Sequence, residues 1–344
     1  MSSKPSPKPY RALVRSAATI LSITIATLAA TELLLRVADF RELRQDSSER
    51  SLSYGYDAEL GWAPIPNSVS TVTTARTIHA EHNSLGFRDV AFRPDGRPVM
   101  LFIGDSFVWG VDAEAGERFT DLLRTELPQF SIVNAGVSGY GTDQEYLWLK
   151  RIWPRVRPDV VVLVFCTDND RKDNATNVRY GRYRKPYFET TADGTLTLRG
   201  QPVPKSLQLL IKESWLVRHL WLARTAALAY VELSSPAISV PDPTERLVGK
   251  IHEFVRTHDA KFLVALQSTD EQLVARLKAE GIPYVSLDGA PAYSIQYGAH
   301  FTPEGHQFAS RKLLALIKDT LPIEDEAARQ GFLTASENRT TPVR

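Results

Sequence analysis

The sequence predicts an α/β protein, a three-layer α/β/α sandwich in which helices cover both faces of a central parallel sheet. Two uninterrupted apolar runs, 99–103 and 160–165, have the length and composition of strands buried on both faces. Amphipathic segments alternate with such runs along the chain, as in folds built from strand–helix–strand units. Because parallel strands end at a common edge of the sheet, the residues that follow these runs are the candidates for a functional site.

The remaining elements follow from periodicity and from proline positions. Helices are predicted at 116–127, 142–153, 244–257, 271–279 and 303–316, and strands at 130–133, 261–266 and 284–287. Pro154 is expected to end the second helix, and Thr302 and Pro303 are expected to begin the last one. Alternating Thr and Val over 70–77 favour a hairpin or an edge strand.

Four short segments carry groups suited to acyl transfer. Gly104-Asp105-Ser106 follows the first apolar run, Gly139 ends the loop after the second predicted strand, Asn169 follows the third, and His300 precedes the last helix. Together these segments resemble the SGNH, or GDSL-type, hydrolase superfamily from about Val99 to Leu321. The resemblance implies a flavodoxin-like sheet and esterase chemistry. It also extends to the Gly-Trp and Asn-x-x-Gly-Phe-Arg elements at 61–62 and 83–88, which precede Gly-Asp-Ser in membrane-anchored relatives.

The resemblance assigns a role to each segment. Ser106 is the nucleophile and His300 is its base, since a serine hydroxyl needs a proton acceptor to react at neutral pH. The oxyanion hole is expected from the backbone amides of Ser106 and Gly139 and the side-chain amide of Asn169. Asp105 and Asp170 are supporting residues, Asp105 through hydrogen bonds that hold the loop. His306 is expected to cap or pack inside the last helix.

One position departs from the family pattern. Relatives carry an acid two or three residues before the catalytic His, where this chain has Gly298 and Tyr297. Three interpretations stay open: a backbone carbonyl orients His300, an acid such as Asp288 comes from elsewhere, or the site has little activity.

No cofactor and no metal are expected. Asp168, Asp170 and Asp173 alternate as calcium ligands can, but the loop lacks the Gly and the bidentate Glu of an EF-hand. The glycines at 136–141 do not match a nucleotide-binding pattern. The single Cys166 excludes an internal disulfide, and the net charge of +1 offers no basic surface for nucleic acid.

The amino terminus predicts a membrane location. Residues 1–15 form a basic tail, and 16–35 form an apolar run whose only charge is Glu32. Twenty helical residues span about 30 Å, the hydrocarbon thickness of a bilayer. We expect a single-pass anchor in the inner or plasma membrane with the catalytic domain on the periplasmic side. A cleavable signal peptide and a buried soluble helix are the alternatives.

The domain prediction places a stalk and extension at 36–97, a hydrolase domain at 98–322 and a flexible tail at 323–344. An insertion at 174–243 interrupts the hydrolase domain. It contains a hairpin around Asp193-Gly194, with the favoured two-residue turn, and one or two amphipathic helices within 206–233. Following Asn169 directly, the insertion is expected to overhang Ser106 as a lid. Its Arg and aromatic residues suit sugar rings or an anionic polymer.

These observations favour a serine esterase of the cell envelope that hydrolyses or transfers an acyl group, such as acetyl, on a glycan. Other envelope esters and unidentified envelope-assembly proteins are further candidate partners. One alternative is a weakly active or inactive anchored protein that binds glycans or assists assembly on the same fold. Another is an esterase of lipids or acyl chains, which the Leu-rich helices of the insertion suggest.

Overall fold

The computed structural model describes residues 9–45, 52–294 and 299–322, so Tyr297, Gly298 and the predicted tail at 323–344 lie outside the described residues. The chain divides into two compact units. Residues 1–45 and 207–236 form what we call the helical unit, and residues 46–206 and 237–344 form the sheet unit. The helices of the predicted insertion therefore group with the amino-terminal helix, whereas its strands belong to the sheet unit.

The sheet unit contains thirteen described strands and seven described helices. Its strands are β1 Tyr54–Asp57, β2 Gly61–Pro64, β3 Val69–Thr73, β4 Thr77–Glu81, β5 Val99–Gly104, β6 Ser131–Asn134, β7 Val160–Phe165, β8 Val178–Arg179, β9 Tyr183–Arg184, β10 Tyr187–Thr190, β11 Leu196–Arg199, β12 Lys261–Leu266 and β13 Tyr284–Ser286. With the helices numbered through the whole chain, those of this unit are α2 Ser106–Trp109, α3 Phe119–Glu126, α4 Thr142–Val156, α5 Asp170–Asn174, α9 Thr244–Arg256, α10 Glu271–Ala279 and α11 Pro303–Thr320, together with a short turn at 52–53.

The central sheet is fully parallel, with strand order β13-β12-β7-β5-β6. All residues of β5 and β7 are buried, which explains why their sequences are uninterrupted apolar runs. Helices α4, α9 and α10 bury Trp148, Ile251 and Leu273 against one face. Helices α3 and α11 bury Phe119 and Leu313 against the other. The α/β/α sandwich predicted from the sequence is therefore confirmed.

Helix α4 ends later than the sequence predicts. The helix was expected to end before Pro154, and this prediction is wrong because α4 continues to Val156. A proline in the last turn removes only one intrahelical hydrogen bond, and the helix ends instead at Arg157, which has a left-handed φ of 47°. Thr302 caps α11 by accepting a hydrogen bond from Gly305 N at 3.2 Å, as predicted.

The predicted hairpin around Asp193 is present as β10 and β11, but the two-residue turn is wrong. Thr191 N donates to Thr195 O at 2.9 Å, so three residues lie inside the closing pair. Gly194 takes a φ of 84° in this loop. A three-residue loop with glycine in the left-handed region is the next most common hairpin connection.

The helical unit consists of α1 Pro9–Ala38, a 3₁₀ turn at Arg41–Leu43, and helices α6 Leu207–Glu213, α7 Trp215–His219 and α8 Trp221–Ser234. The prediction of one or two helices in this part of the insertion is wrong, because Ser214 and Leu220 are non-helical and divide the segment into three. The segment Tyr10–Ala38 contains an 18-residue stretch with a mean hydropathy of 1.8, and none of that stretch is buried. Its length and apolarity suffice for a membrane span or a signal sequence.

Candidate active site

The candidate nucleophile lies in a tight turn after β5. Ser106 is the first residue of α2, and Asp105 caps that helix by accepting a hydrogen bond from Phe107 N at 2.9 Å. A Cβ atom on Gly104 would lie 2.4 Å from Val108 Cγ2 and 2.9 Å from Val164 O. Only glycine fits at this close approach, which explains the glycine of the Gly-Asp-Ser segment.

The candidate base lies in direct contact with this nucleophile. His300 Nε2 is 2.9 Å from Ser106 Oγ, a hydrogen-bond distance. The loop that carries His300 is held by a β-bridge between Ala292 and Phe301, whose side chain is buried. The His300 ring also packs 5.4 Å from the Phe107 ring. The fold thus brings together the two residues to which the sequence analysis assigned proton transfer and attack.

The loop after β6 lies beside the nucleophile turn. Val137 N donates to Gly104 O at 3.0 Å, and Gly139, with a φ of 81°, follows two residues later. A positive φ at this position favours glycine and directs the backbone through a sharp turn. This arrangement places the predicted backbone donor of Gly139 in the loop adjacent to Ser106.

Aromatic residues of the extension before β5 hold the same loop. The Tyr54 hydroxyl accepts a hydrogen bond from Ser138 N at 3.0 Å, and Trp62 Nε1 donates to Ser138 O at 3.3 Å. The Tyr140 hydroxyl donates to Trp62 O at 2.6 Å. The Gly61-Trp62 element noted in the sequence therefore supports the loop that carries Gly139.

Asn169 follows β7 at the start of α5, and its amide is held by two carboxylates. Asn169 Nδ2 donates to Asp173 Oδ2 at 3.1 Å and, through a longer bond, to Asp105 Oδ2 at 3.4 Å. Ser106 Oγ lies 3.3 Å from that same Asp105 oxygen. A substrate oxyanion would compete with the long Asp105 bond for one amide proton of Asn169.

Burial controls the protonation of the acids behind the nucleophile. Desolvation raises the pKa of Asp105, and it raises the pKa of Asp170 and Glu145 well above the usual range of carboxylic acids. Asp170 Oδ2 accepts a hydrogen bond from Cys166 N at 2.8 Å and thereby holds the exit of β7. The neighbouring carboxylates raise the pKa of Asp170 and Glu145 further, because like charges close together disfavour ionisation.

Two cations that the sequence analysis did not assign to the site balance this acidic layer. Lys185 forms an ion pair with Asp143 in which neither side chain is exposed. Arg179 pairs with Asp173 at 2.5 Å, and its guanidinium lies 3.8 Å from the ring centroid of Tyr180. Burial raises the pKa of Asp173 to about 7, against the opposing effect of Arg179. Only the sequence proximity of this basic and aromatic segment to Asn169 could have indicated the arrangement.

Within the described ranges, a carboxylate that the sequence analysis missed lies close to the second nitrogen of His300. Asp112 Oδ2 lies 3.8 Å from His300 Nδ1, and the Asp112 side chain is completely buried. Asp288, the acid considered from the sequence, instead accepts hydrogen bonds from Thr269 N and from the hydroxyls of Thr269 and Ser286. No sequence motif singles out Asp112, because its proximity to His300 arises only from the tertiary fold.

Across the described ranges 9–45, 52–294 and 299–322, no group of three or more His, Cys, Asp or Glu residues could hold a metal ion. His306 is buried in α11, and its Nδ1 accepts a hydrogen bond from Phe119 N at 3.3 Å. Cys166 is buried as a free thiol at the end of β7.

Comparison with known proteins places this geometry in context. A family model described as the GDSL-like lipase/acylhydrolase family matches residues 102–308, more than half of the chain. No curated protein matches the chain by sequence.

Similar solved structures include TesA, with 12% identity over 65% of this chain and 99% of that chain, at a TM-score of 0.38. A carbohydrate acetylesterase family member from Sinorhizobium meliloti has 11% identity over 64% and 98% of the two chains, at a TM-score of 0.40. A GDSL-like lipase from Bacteroides thetaiotaomicron has 12% identity over 67% and 93%, at a TM-score of 0.37.

Proposed function

Because the chain belongs to the GDSL-like lipase/acylhydrolase family, we propose that it is a serine esterase in which Ser106 attacks the acyl carbon and His300 accepts its proton. The observation that carries this proposal is the 2.9 Å contact between His300 Nε2 and Ser106 Oγ. In the first half-reaction the serine oxygen bonds to the carbonyl carbon, and the protonated His300 then donates its proton to the departing alcohol. Water or a sugar hydroxyl releases the acyl group in the second half-reaction, with His300 again as the base.

The developing oxyanion is stabilised by the backbone amides of Ser106 and Gly139 and by the side chain of Asn169. Such donors contribute most when fixed in advance in a water-poor site, and the loss of one typically costs about 3 to 4 kcal/mol of transition-state stabilisation. The hydrogen bonds of Tyr54 and Trp62 to Ser138 support this role by fixing the Gly139 loop before substrate arrives.

The proposed substrate is an acylated glycan of the cell envelope, with acetyl as the acyl group. Tyr180 supports this choice, because a half-exposed ring stacked on Arg179 offers a platform for a sugar ring. Its φ of 53° is unusual for a bulky residue and costs about 1 to 3 kcal/mol, a strain that proteins keep mainly at functional positions. Arg179 connects this platform to the site through Asp173 and Asn169.

We place the enzyme at a membrane, with α1 as a retained single-pass anchor and the sheet unit on the periplasmic side. Retention is supported by contacts at the end of α1. Glu32 accepts hydrogen bonds from Trp221 N at 3.0 Å and Leu222 N at 2.8 Å, and so caps the start of α8. Arg36 pairs with Glu32 at 2.7 Å and donates to His219 O at 2.5 Å. A charge that serves a folded contact is expected in a mature protein rather than in a discarded signal sequence.

The direct test is hydrolysis of p-nitrophenyl acetate by the full-length protein in detergent. Ser106→Ala and His300→Ala are each expected to reduce turnover to the rate without enzyme, while preserving the thermal transition of the wild type. Wild-type turnover in Ser106→Ala would exclude this site. Rates that increase steadily from acetyl to octanoyl esters would favour a lipid or acyl-chain substrate over an acetylated glycan.

A further inference from the structure

Asp112 has a strained backbone and a buried carboxylate, and one oxygen of that carboxylate lies near His300. It has a left-handed φ of 64° directly after the nucleophile helix, and its side chain is fully buried. One carboxylate oxygen, Oδ1, accepts hydrogen bonds from Arg76 N at 2.9 Å and from the Thr74 hydroxyl. The other, Oδ2, has no hydrogen-bond donor among the described residues and faces His300 Nδ1 at 3.8 Å. A buried carboxylate oxygen held towards an imidazole is costly unless it interacts with that imidazole.

We propose that Asp112 is the positioning residue for His300, replacing the acid that relatives carry just before this histidine. A carboxylate beside Nδ1 keeps the proton on that nitrogen, leaves Nε2 free to accept the Ser106 proton, and stabilises the imidazolium that forms. The distance of 3.8 Å is longer than a hydrogen bond, and such contacts in enzymes without substrate often tighten or pass through one water. This proposal rests on the esterase function proposed above.

The extension before β5 builds this carboxylate site. The β3–β4 turn supplies Thr74 and Arg76, and the Arg76 guanidinium also donates to Asp112 O at 3.1 Å. Arg88, from the Asn-x-x-Gly-Phe-Arg element, donates to Gly110 O at 2.5 Å and to Ala113 O at 2.7 Å. These bonds clamp the turn on both sides of Asp112. The extension before β5 therefore holds Asp112 in the position from which it approaches His300.

The test compares Asp112→Asn with Asp288→Asn in p-nitrophenyl acetate hydrolysis. Asp112→Asn is expected to lower kcat by roughly 100- to 10,000-fold with little change in KM, since only the orientation and charge of the base are altered. Loss of the neighbouring negative charge also moves the acid limb of the kcat/KM profile to lower pH. Asp288→Asn is expected to behave as the wild type.

Two further variants separate the possible failures. Thr74→Val keeps the carboxylate but removes one of its supports, so a smaller fall in kcat with an unchanged thermal transition is expected even if Asp112→Asn folds poorly. If Ser106→Ala is inactive while Asp112→Asn and Thr74→Val keep wild-type kcat and pH profiles, the positioning role is wrong and the esterase function stands. If Ser106→Ala is as active as the wild type, the esterase function itself fails.

A second inference comes from the outer surface of α8. Ala226, Ala229, Tyr230 and Leu233 are exposed and recur at the spacing of one helical face. Tyr230 and Leu233 are 69% and 86% exposed, and Trp215 on α7 is 68% exposed. The opposite face of α8 packs Ala227 and Leu228 against the small core formed by Leu43, Leu207 and Ile211. Helix α8 therefore carries an exposed apolar stripe in addition to the apolar residues that it buries.

The geometry points to the lipid bilayer as the partner of this exposed stripe. The first turn of α8 is hydrogen-bonded to Glu32, and Arg36 donates to His219 O just before it; both residues lie near the end of the apolar helix α1. Helix α8 contacts α1 within the same compact unit, so the stripe lies on a helix that borders the apolar segment Tyr10–Ala38. Helices with Trp, Tyr and Leu on their outer face bury it about 5 to 10 Å into the interfacial region of a membrane.

Site-directed spin labelling of the full-length protein in lipid nanodiscs tests this inference. Tyr230→Cys and Leu233→Cys labels are expected to be accessible to oxygen and protected from a water-soluble nickel chelate. Thr225→Cys and Glu232→Cys are matched controls on the adjacent polar face of α8 and should show the reverse. Cys166 needs no replacement, because burial raises its thiol pKa well above the usual value and makes it unreactive.

Equal nickel accessibility at all four positions would exclude membrane contact, and spin–spin broadening at Tyr230→Cys would assign the stripe to a second copy of this chain. Alkaline carbonate extraction reports separately on α1. Release of the protein by carbonate would refute the anchor, whereas retention combined with water-exposed labels would refute only the stripe.

Discussion

The buried ion pair between Lys185 and Asp143 gives the sharpest stability prediction. Both side chains are completely inaccessible to solvent. Lys185 Nζ also donates to Pro186 O at 3.1 Å, and Asp143 Oδ1 accepts a hydrogen bond from Gln144 N at 2.7 Å. The pair joins the start of α4, just after the Gly139 loop, to the segment between β9 and β10.

Lys185→Met removes the cation and leaves the Asp143 carboxyl without its partner in the protein interior. Deleting one member of a buried pair typically costs about 3 to 5 kcal/mol. At about 2 to 4 °C per kcal/mol for a unit of this size, the thermal midpoint should fall by roughly 6 to 20 °C. Lys185→Met combined with Asp143→Leu should recover most of this loss, because neither charge is then buried.

Intrinsic tryptophan fluorescence during heating measures these midpoints in detergent. The matched control is Lys250→Met, which breaks an exposed pair with Glu253 and should cost about 1 kcal/mol or less. If Lys185→Met melts within 2 °C of Lys250→Met, the reasoning about the buried pair is refuted. The same conclusion follows if the double variant is less stable than Lys185→Met alone.

Three further predictions follow from the site and its surroundings. Asn169→Ala should lower kcat for p-nitrophenyl acetate by about 100- to 1000-fold with little change in KM, and a loss of less than threefold would remove Asn169 from the oxyanion hole. Tyr180→Ala should raise KM several-fold for an acetylated oligosaccharide but not for p-nitrophenyl acetate, and equal effects on both substrates would exclude sugar stacking. Burial lowers the pKa of His306 to about 3, below the unfolded value of 6.5, so its contribution to stability is complete above pH 6.5 and decreases as the pH falls towards 3. The free energy of unfolding measured with urea should therefore fall by about 1.4 kcal/mol for each pH unit in that range because of His306. His306→Asn should make this dependence on pH less steep, and an unchanged dependence would show that His306 is not its cause.

Local sequence patterns predicted the sheet unit well because its strands are buried on both faces. The run 160–165 is apolar at every position, which is typical of a strand buried on both faces, and the structure places it in the middle of the sheet as β7. The contact between Ser106 and His300 was also foreseen, since the resemblance assigned roles to both residues. Pro154, in contrast, misled the helix prediction because its cost depends on how close it lies to the helix end.

Long-range partnerships were not predictable from local patterns. Asp112 meets His300 only because the β3–β4 turn and Arg88 clamp the segment after the nucleophile helix. Similarly, Lys185 looked like one of several surface cations in a basic and aromatic segment, and its burial against Asp143 depends on how α4 packs. Such residues acquire their roles from tertiary contacts rather than from spacing along the chain.

The most direct test of the central claim is covalent labelling of the wild-type protein with a fluorophosphonate, followed by mass spectrometry of its peptides. This account predicts one phosphonylated serine, Ser106, and strongly reduced labelling in His300→Ala because the base that activates the hydroxyl is lost. Absence of label on Ser106 in the folded wild type, or equal labelling rates with and without His300, would contradict it.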